Sequence, residues 1–393
     1  MISRRLFLLG SLCANLIGCS RAEPGSVESP LAEDLEDFLD REVNECVDQG
    51  LTAGAAYVLL PWGGRSIIRH FGRADIENQI SVTDSTRFRL ASVSKTFIAA
   101  SVLKIFESGE LSLEDPISRF FPSFPNAAYI TPYQLLTHTS GLRDWYETSY
   151  STEKTQNWVF GPETHQVLMT MEDPFRFAPG IDHWYSNSGY LLLGDIIQNV
   201  TGLSWQDYLT QDLLPKAGVR GIEIETPDYQ ATGWATGYHK NSDDGGTFVR
   251  SDFSGLPGAA GSLRASSEAL AEWMNALFVD HTVLHPETLQ KMTTMAKLKN
   301  GRLVSDSTYF PSEWGERPPQ PAFMQQSGWG LGFSLFQANG TPVIWHSGGI
   351  PGFNAIWLNF PDMKLSIALL SNTDNGVVSL FEPTVERVTR TNP

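Results

Sequence analysis

Strand-like runs lie at both ends of this chain and are scarce in its middle, and this distribution restricts the possible folds strongly. Two strands are predicted over 53–60 and 66–71, joined by a turn at 61–64. Four more are predicted near the C-terminus, separated by Asn-Gly, Pro-Gly and Pro-Asp pairs that suit an antiparallel meander: 330–336, 343–345, 354–360 and 365–370. We therefore expect one antiparallel sheet that is built from both termini and flanked by helices.

The predicted fold class is α/β, of the α+β type, with a mostly helical subdomain inserted into the sheet subdomain. The sheet subdomain is expected at about 34–90 and 256–392, and the helical subdomain at about 91–255. Ser266 or Ser267 is expected to cap a helix, and a last helix over 377–388 closes the chain. Further predicted elements are an early helix from about 35, helices over 131–136, 190–200 and 205–214, and a long surface loop over 300–320.

The N-terminus has the pattern of a lipoprotein signal peptide over residues 1–18. Arg4 and Arg5 precede an apolar stretch that ends at Cys19, which would be lipidated and would tie the chain to a membrane. Residues 19–33 then form a flexible tether. We expect a location in the cell envelope, facing the periplasm or the exterior, with the outer membrane preferred because Ser20 follows the cysteine. The two arginines also resemble a twin-arginine export signal.

The net charge limits the partners of the chain. At a formal charge of -16 the protein has no net attraction for nucleic acid, so no nucleic-acid partner is expected. No apolar run after the N-terminus is long enough to span a membrane.

The segment Ser92-Val93-Ser94-Lys95 places a hydroxyl one helical turn from an amine, at the start of a long apolar helix pattern. A lysine can activate a serine if its surroundings keep it neutral. The same spacing occurs at Ser101 to Lys104 and at Ser151 to Lys154, so spacing alone does not select the site. Ser92 is favoured because a helix N-terminus carries free amide donors and a positive dipole. The alternative is a helix cap beside a surface lysine.

Two further segments carry suitable chemistry. Tyr185-Ser186-Asn187 offers a phenol for proton transfer and an amide for a substrate carbonyl, although a buried structural tyrosine beside a capping asparagine is an alternative. His346-Ser347-Gly348-Gly349 is expected to end the strand over 343–345 and to line a cleft, where an exposed amide could complete an oxyanion hole with Ser92. The alternative for this segment is an ordinary turn.

In this order, the Ser-x-x-Lys, Tyr-x-Asn and His-x-Gly patterns resemble the motifs of the penicillin-recognising serine hydrolases. The branch that contains class C beta-lactamases and D-Ala-D-Ala carboxypeptidases is the most similar, and it also contains esterases and D-aminopeptidases. The resemblance covers roughly Leu35 to Val388 and includes the connecting segments 88–97, 135–142 and 185–190.

The resemblance implies a beta-lactamase/transpeptidase-like fold, and it gives a role to each matching residue. Ser92 would be the acylated nucleophile, and Lys95 with Tyr185 the proton-transfer pair. No metal or organic cofactor is implied. His346 stands where class C enzymes carry lysine, which makes efficient beta-lactam hydrolysis less expected because histidine is mostly neutral at pH 7. The implied substrate-binding residues are Asn187, His346, Ser347, Gly348 and Gly349.

The residues around the motifs support two more expectations. The helix that carries Lys95 has no acidic residue before Glu107, so burial without a paired carboxylate should lower the pKa of the lysine. His138 lies in Leu-Leu-Thr-His-Thr-Ser-Gly-Leu and is expected to be structural, satisfying backbone groups of its loop.

The leading hypothesis is a lipid-anchored serine hydrolase that forms an acyl-Ser92 intermediate on an amide or ester. A D-amino-acid peptide is the preferred substrate, which would make the enzyme similar to a carboxypeptidase or peptidase. A carboxylesterase and a weak class C-type beta-lactamase are alternatives within this class. A binding protein for penicillin or peptidoglycan that acylates slowly is the alternative from another class.

Overall fold

The computed structural model describes residues 30–144, 168–169, 173–226, 232–241, 246–304 and 322–390. Within these ranges, no helix is both long and apolar enough to cross a membrane. The predicted signal peptide, Cys19 and most of the predicted tether lie outside the described residues.

Nine α-helices and thirteen strands make up the described part of the chain. The helices are α1 (Pro30–Asp48), α2 (Ser94–Ser108), α3 (Pro132–Leu136), α4 (Asn187–Thr201), α5 (Trp205–Asp207), α6 (Leu214–Ala217), α7 (Ser267–Phe278), α8 (Pro286–Met292) and α9 (Phe381–Arg390). The strands are β1 (Gly54–Pro61), β2 (Ile67–Asp75), β3 (Ile80–Ser81), β4 (Phe88–Arg89), β5 (Ile222–Ile224), β6 (Tyr238–Lys240), β7 (Phe248–Arg250), β8 (Leu263–Ala265), β9 (Gln325–Trp329), β10 (Ser334–Ala338), β11 (Thr341–Ile350), β12 (Phe353–Phe360) and β13 (Leu365–Ser371).

The main sheet joins the two ends of the chain, as the sequence predicts. Its eight strands follow the order β3-β2-β1-β13-β12-β11-β10-β9, and all neighbouring pairs are antiparallel. The junction is the pairing of β1 with β13, which runs from Ala55 opposite Ser371 to Pro61 opposite Leu365. The predicted fold class and the sheet built from both termini are therefore confirmed.

Each face of this sheet carries its own apolar core. On one face α1 and α9 pack through residues such as Leu39 and Val385 against the sheet residues Tyr57 and Leu358. The other face packs against the helices that surround α2, and both Phe97 and Trp273 belong to that core. Because α2 begins at this second face, the segment that carries Ser92 lies directly against the sheet.

The structure corrects several predicted boundaries. The run 330–336 is a strand only in its last three residues, because β10 begins at Ser334, and the preceding strand β9, which ends at Trp329, was not predicted. A Cβ atom on Gly332 (φ +95°) would lie 2.5 Å from the Ala99 Cβ, so a turn at this position needs glycine. The first helix begins at Pro30, inside the predicted tether, because Ala32 and Leu35 already pack in the core.

The middle of the chain has few strands, as predicted, and those described there are the short strands β5, β6 and β7. One prediction about the third motif was wrong. The segment 346–349 does not follow a strand but forms part of β11, which continues to Ile350. Most of the predicted loop over 300–320 lies outside the described residues.

A buried ionic cluster fastens the small sheet β4-β8-β5 beneath the nucleophile segment. Arg89 on β4 lies opposite Arg264 on β8, and Glu225 lies between them, 2.6 Å from the Arg89 Nε and 2.5 Å from the Arg264 Nε. Burial lowers the pKa of Arg264 to about 10, although the carboxylate of Glu225 opposes this effect. The Glu225 carboxylate thus forms ion pairs with two buried arginines.

Candidate active site

The nucleophile candidate lies on a tight turn. A 3₁₀ turn covers Ala91–Val93 and leads directly into α2, so Ser92 precedes the first residue of the helix. Ala91 has a φ of +45°, a left-handed conformation that is unfavourable for a residue with a Cβ atom. The backbone of β11 lies directly against this turn. A Cβ atom on Gly348 would be only 2.1 Å from the Leu90 carbonyl oxygen. Ser92 remains partly accessible.

The amine of Lys95 lies at the centre of the site. Its Nζ atom is 3.0 Å from the Ser92 Oγ, 2.7 Å from the Asn187 Oδ1 and 2.7 Å from the Ala260 carbonyl oxygen. The side chain is completely buried, and burial lowers its pKa to about 7. A neutral amine can give its two protons to Asn187 and Ala260 and use its lone pair to accept the Ser92 proton. The geometry thus suits a base.

Asp144 is a member of the site that sequence reasoning missed. Its carboxylate accepts hydrogen bonds from the backbone N–H of Asn187, from the Asn187 Nδ2 at 3.0 Å and from the Ser188 N–H at 3.1 Å. It lies at the N-terminus of α4, where a negative charge is favourable. The carboxylate also raises the pKa of Lys95 and so partly opposes burial. The predicted lowering of the Lys95 pKa by burial is confirmed, and Asp144, which lies outside the helix that was considered, opposes it only in part.

Asn187 is held at both ends of its amide, by Lys95 and by Asp144. The second Nδ2 proton can still donate, because a side-chain amide carries two N–H groups. Its predicted contact with a substrate carbonyl therefore remains a prediction, and the contacts that the structure shows are those that orient Lys95.

Tyr185 lines the same cleft as the nucleophile candidate. Burial raises the pKa of its phenol above the usual range, and the neighbouring Ser92 hydroxyl partly offsets this effect. Its hydroxyl makes no hydrogen bond of good geometry within the described residues. The Lys95 Nζ lies 5.0 Å from the centre of its ring. Tyr185 is thus a neutral phenol at neutral pH, within reach of the groups between which it would transfer a proton.

Strand β11 forms the far wall of a cleft of about 270 Å³. His346 is only 3% exposed, and its Nδ1 donates to the Ser347 carbonyl oxygen at 2.7 Å. Burial and the nearby Lys95 lower the pKa of His346 to about 3, so the imidazole is neutral at pH 7. A Cβ on Gly349 would meet no atom within 4 Å, which leaves space for a substrate at this position. The cleft is lined by Ser92, Tyr185, Trp329, Ser334, Trp345, His346, Ser347 and Gly349.

The structure also separates Ser92 from the two other serines with the same spacing. Ser101 is buried in the middle of α2 and donates to the Phe97 carbonyl oxygen, and Lys104 pairs with Glu107. Ser151 and Lys154 lie outside the described residues. Among the described serines of this pattern, Ser92 is the one whose lysine contacts it and whose hydroxyl faces a cleft.

Comparison with known proteins identifies the family of the chain. A family profile described as Beta-lactamase matches residues 39–387. The chain therefore belongs to the beta-lactamase family of serine hydrolases.

Two relatives are similar to most of this chain. Protein flp of Staphylococcus aureus (strain NCTC 8325 / PS 47) is 27% identical over 355 residues, which are 88% of this chain and 65% of that protein. Penicillin-binding protein 4* of Bacillus subtilis (strain 168) is 26% identical over 335 residues, or 81% of this chain and 68% of that protein. The chain thus spans about two thirds of the length of these relatives.

Solved structures show the same fold. D-amino acid amidase from Ochrobactrum anthropi SV3 superposes with a TM-score of 0.73 at 24% identity, covering 91% of this chain and 98% of that chain. The octameric penicillin-binding protein homologue from Pyrococcus abyssi gives 0.72 at 23% identity, covering 87% of this chain and 74% of that chain. Together with the family match, these similarities confirm the predicted membership in the penicillin-recognising serine hydrolases.

Proposed function

We propose that this protein hydrolyses an amide or ester bond through an acyl-enzyme intermediate on Ser92. The observation that carries the proposal is the 3.0 Å contact between the Ser92 Oγ and the buried Lys95 Nζ, whose pKa is lowered to about 7. Near neutral pH a large fraction of such a lysine is unprotonated and can act as a general base.

The reaction proceeds in two halves. Lys95 takes the Ser92 proton while the Oγ attacks the carbonyl carbon, and the backbone amides of Ser92 and Gly349 stabilise the oxyanion. The bond to the leaving group then breaks, and Tyr185 passes the proton to the departing amine or alkoxide. Water enters, loses a proton to the Lys95 and Tyr185 pair, and attacks the acyl carbon. The acid is released, and the Ser92 hydroxyl is restored.

A D-amino-acid peptide or amide is the preferred substrate class. The cleft carries the neutral His346 in place of a fixed cation, which suits an uncharged substrate group better than a carboxylate. A solved protein of the same fold is described as a D-amino acid amidase. A carboxylesterase shares every step of this mechanism, and a weak class C-type beta-lactamase would meet the same neutral histidine.

The central experiment is mass spectrometry of the intact protein after incubation with a serine-directed phosphonate, with D-phenylalanine amide, with a p-nitrophenyl ester and with penicillin. The Ser92→Ala variant should lose both labelling and turnover. Ser101→Ala is the matched control, because this serine has the same spacing to a lysine but bonds to its own helix. Full turnover by Ser92→Ala would refute the proposal.

A slow penicillin-binding protein is the second candidate, because one relative is named a penicillin-binding protein. The same spectra distinguish the two functions. A penicilloyl adduct that persists, together with no turnover of the ester or amide, would favour binding. Rapid turnover without an accumulated adduct would favour the hydrolase.

For the location we propose an envelope protein anchored through a lipid on Cys19, facing the periplasm or the exterior, with the outer membrane preferred. The support is the arrangement of basic residues, apolar stretch and cysteine at the N-terminus. Labelling with a fatty-acid analogue should modify the wild-type protein and not a Cys19→Ser variant. Equal labelling of both proteins would reject the anchor.

A further inference from the structure

Three consecutive residues around the catalytic candidate Tyr185 each contact His138. The Trp184 N–H donates to the His138 carbonyl oxygen at 2.9 Å, and the Ser186 N–H donates to the His138 Nδ1 at 3.1 Å. Between these two bonds, the Tyr185 ring stacks on the imidazole with centroids 4.3 Å apart and an angle of 29° between the planes. His138 thus contacts both the backbone and the side chain of this segment.

His138 is itself held firmly. It is 1% exposed, and its φ of +56° is a left-handed conformation that a residue with a side chain rarely adopts. The edge of its ring meets Trp329 at a centroid distance of 4.8 Å. Because the Nδ1 accepts a hydrogen bond, the proton of the neutral ring is on Nε2. Burial and neighbouring groups lower the pKa of His138, so this neutral form persists at physiological pH.

The direction of the Tyr185 phenol depends on such contacts. Its hydroxyl has no hydrogen bond of good geometry within the described ranges that could fix its position. The stacked ring and the two flanking backbone bonds therefore supply the restraint that the hydroxyl lacks.

We propose that His138 is a positioning residue that clamps Tyr185 in the direction required for proton transfer to the leaving group and from the attacking water. The inference rests on the proposed role of Tyr185. It goes beyond the expectation that His138 merely satisfies loop backbone groups, because it couples this histidine to the chemistry of one phenol.

A double-mutant cycle tests the clamp. His138→Asn retains a side-chain acceptor near the position of Nδ1 and tolerates a left-handed backbone, but it removes the stacked ring. We expect kcat for the ester or amide to fall by about 100-fold, the loss typical of a reacting group displaced by about 1 Å, with a small change in KM. In a Tyr185→Phe background, which already lacks the phenol, His138→Asn should cause little further loss.

The controls separate positioning from stability. His281 has a φ of +53° and is exposed, so His281→Asn repeats the substitution in the same backbone conformation away from the site. The residual activity of the Tyr185→Phe protein must be measurable, and melting temperatures are recorded for every variant. If His138→Asn is unfolded at the assay temperature, His138→Gln supplies a second acceptor without a ring for the same cycle.

The outcomes are distinct. Strong non-additivity between the two positions supports the clamp. Equal losses in both backgrounds, or no loss in the wild-type background, overturn it. Wild-type activity of Tyr185→Phe would instead reject the proposed role of Tyr185 and leave Ser92 to be judged by its own variants.

Discussion

The approach of Gly348 to the nucleophile turn gives a sharp test of the site. Gly348→Ala adds a Cβ atom that would lie 2.1 Å from the Leu90 carbonyl oxygen and 3.0 Å from the Ser92 backbone nitrogen. To restore a separation of 3.0 Å from the carbonyl, β11 and the turn must move apart by about 0.9 Å. Both contacting atoms belong to backbone, so no flexible side chain can absorb the shift.

The expected effects follow from this displacement. Overpacking of this kind typically costs about 1–3 kcal/mol in the free energy of unfolding. The same movement separates the Gly349 amide from the Ser92 amide, so the two donors no longer meet one oxyanion. A misplacement of about 1 Å costs on the order of 100-fold in rate, and we expect this loss mainly in kcat.

The assay combines urea unfolding with steady-state hydrolysis of an ester or amide that the wild-type protein turns over. Gly349→Ala is the matched stability control, because its added methyl group would meet no atom within 4 Å. That variant should unfold like the wild-type protein, and its effect should be on KM, since the methyl group projects into open space. A Gly348→Ala protein with wild-type stability and wild-type kcat would refute the close approach of β11 to the nucleophile turn.

Three further predictions concern charged groups. Since burial lowers the pKa of Lys95 to about 7, kcat/KM should rise with pH through about 7 as the lysine loses its proton, and a profile that is flat from pH 5 to 9 would contradict this. Asp144→Asn removes the charge that raises this pKa, so the rise should move to lower pH. The plateau should also fall, because the amide keeps only one of the two oxygens that accept hydrogen bonds from Asn187 and Ser188. An unchanged or higher midpoint would count against this role. Glu225→Gln removes the carboxylate that is hydrogen-bonded to both buried arginines and should reduce the free energy of unfolding in urea by about 3–5 kcal/mol. A loss under about 1 kcal/mol, typical of an exposed pair, would show that the cluster is solvated.

Local sequence patterns predicted the sheet well where each strand carries a continuous apolar run. β12 and β13 are buried along their whole length, and their observed bounds lie within one residue of those predicted. The turn between β9 and β10 could not be predicted, because it depends on how closely Gly332 approaches α2. The continuation of β11 through two glycines was missed for a similar reason: pairing with β12, and not local propensity, keeps Gly348 and Gly349 extended.

The candidate site shows the same division. The Ser186 hydroxyl caps α4 within three residues, a contact that a sequence pattern can predict. The carboxylate of Asp144 serves the same helix end from 43 residues away, and no spacing rule connects them. The only local indication of Asp144 in the sequence is its position just after the segment 135–142, and that segment resembles the family.

The sequence by itself predicted the class of fold, Ser92 and Lys95 as the candidate nucleophile and base, and a histidine at the third motif, because these depend on residue patterns and on side-chain chemistry. The tertiary structure decided which groups surround the amine of Lys95, how β11 meets the nucleophile turn and how His138 holds Tyr185. These contacts join segments that are distant in the chain. Their distances and their effects on pKa exist only once the helices and the sheet are packed together.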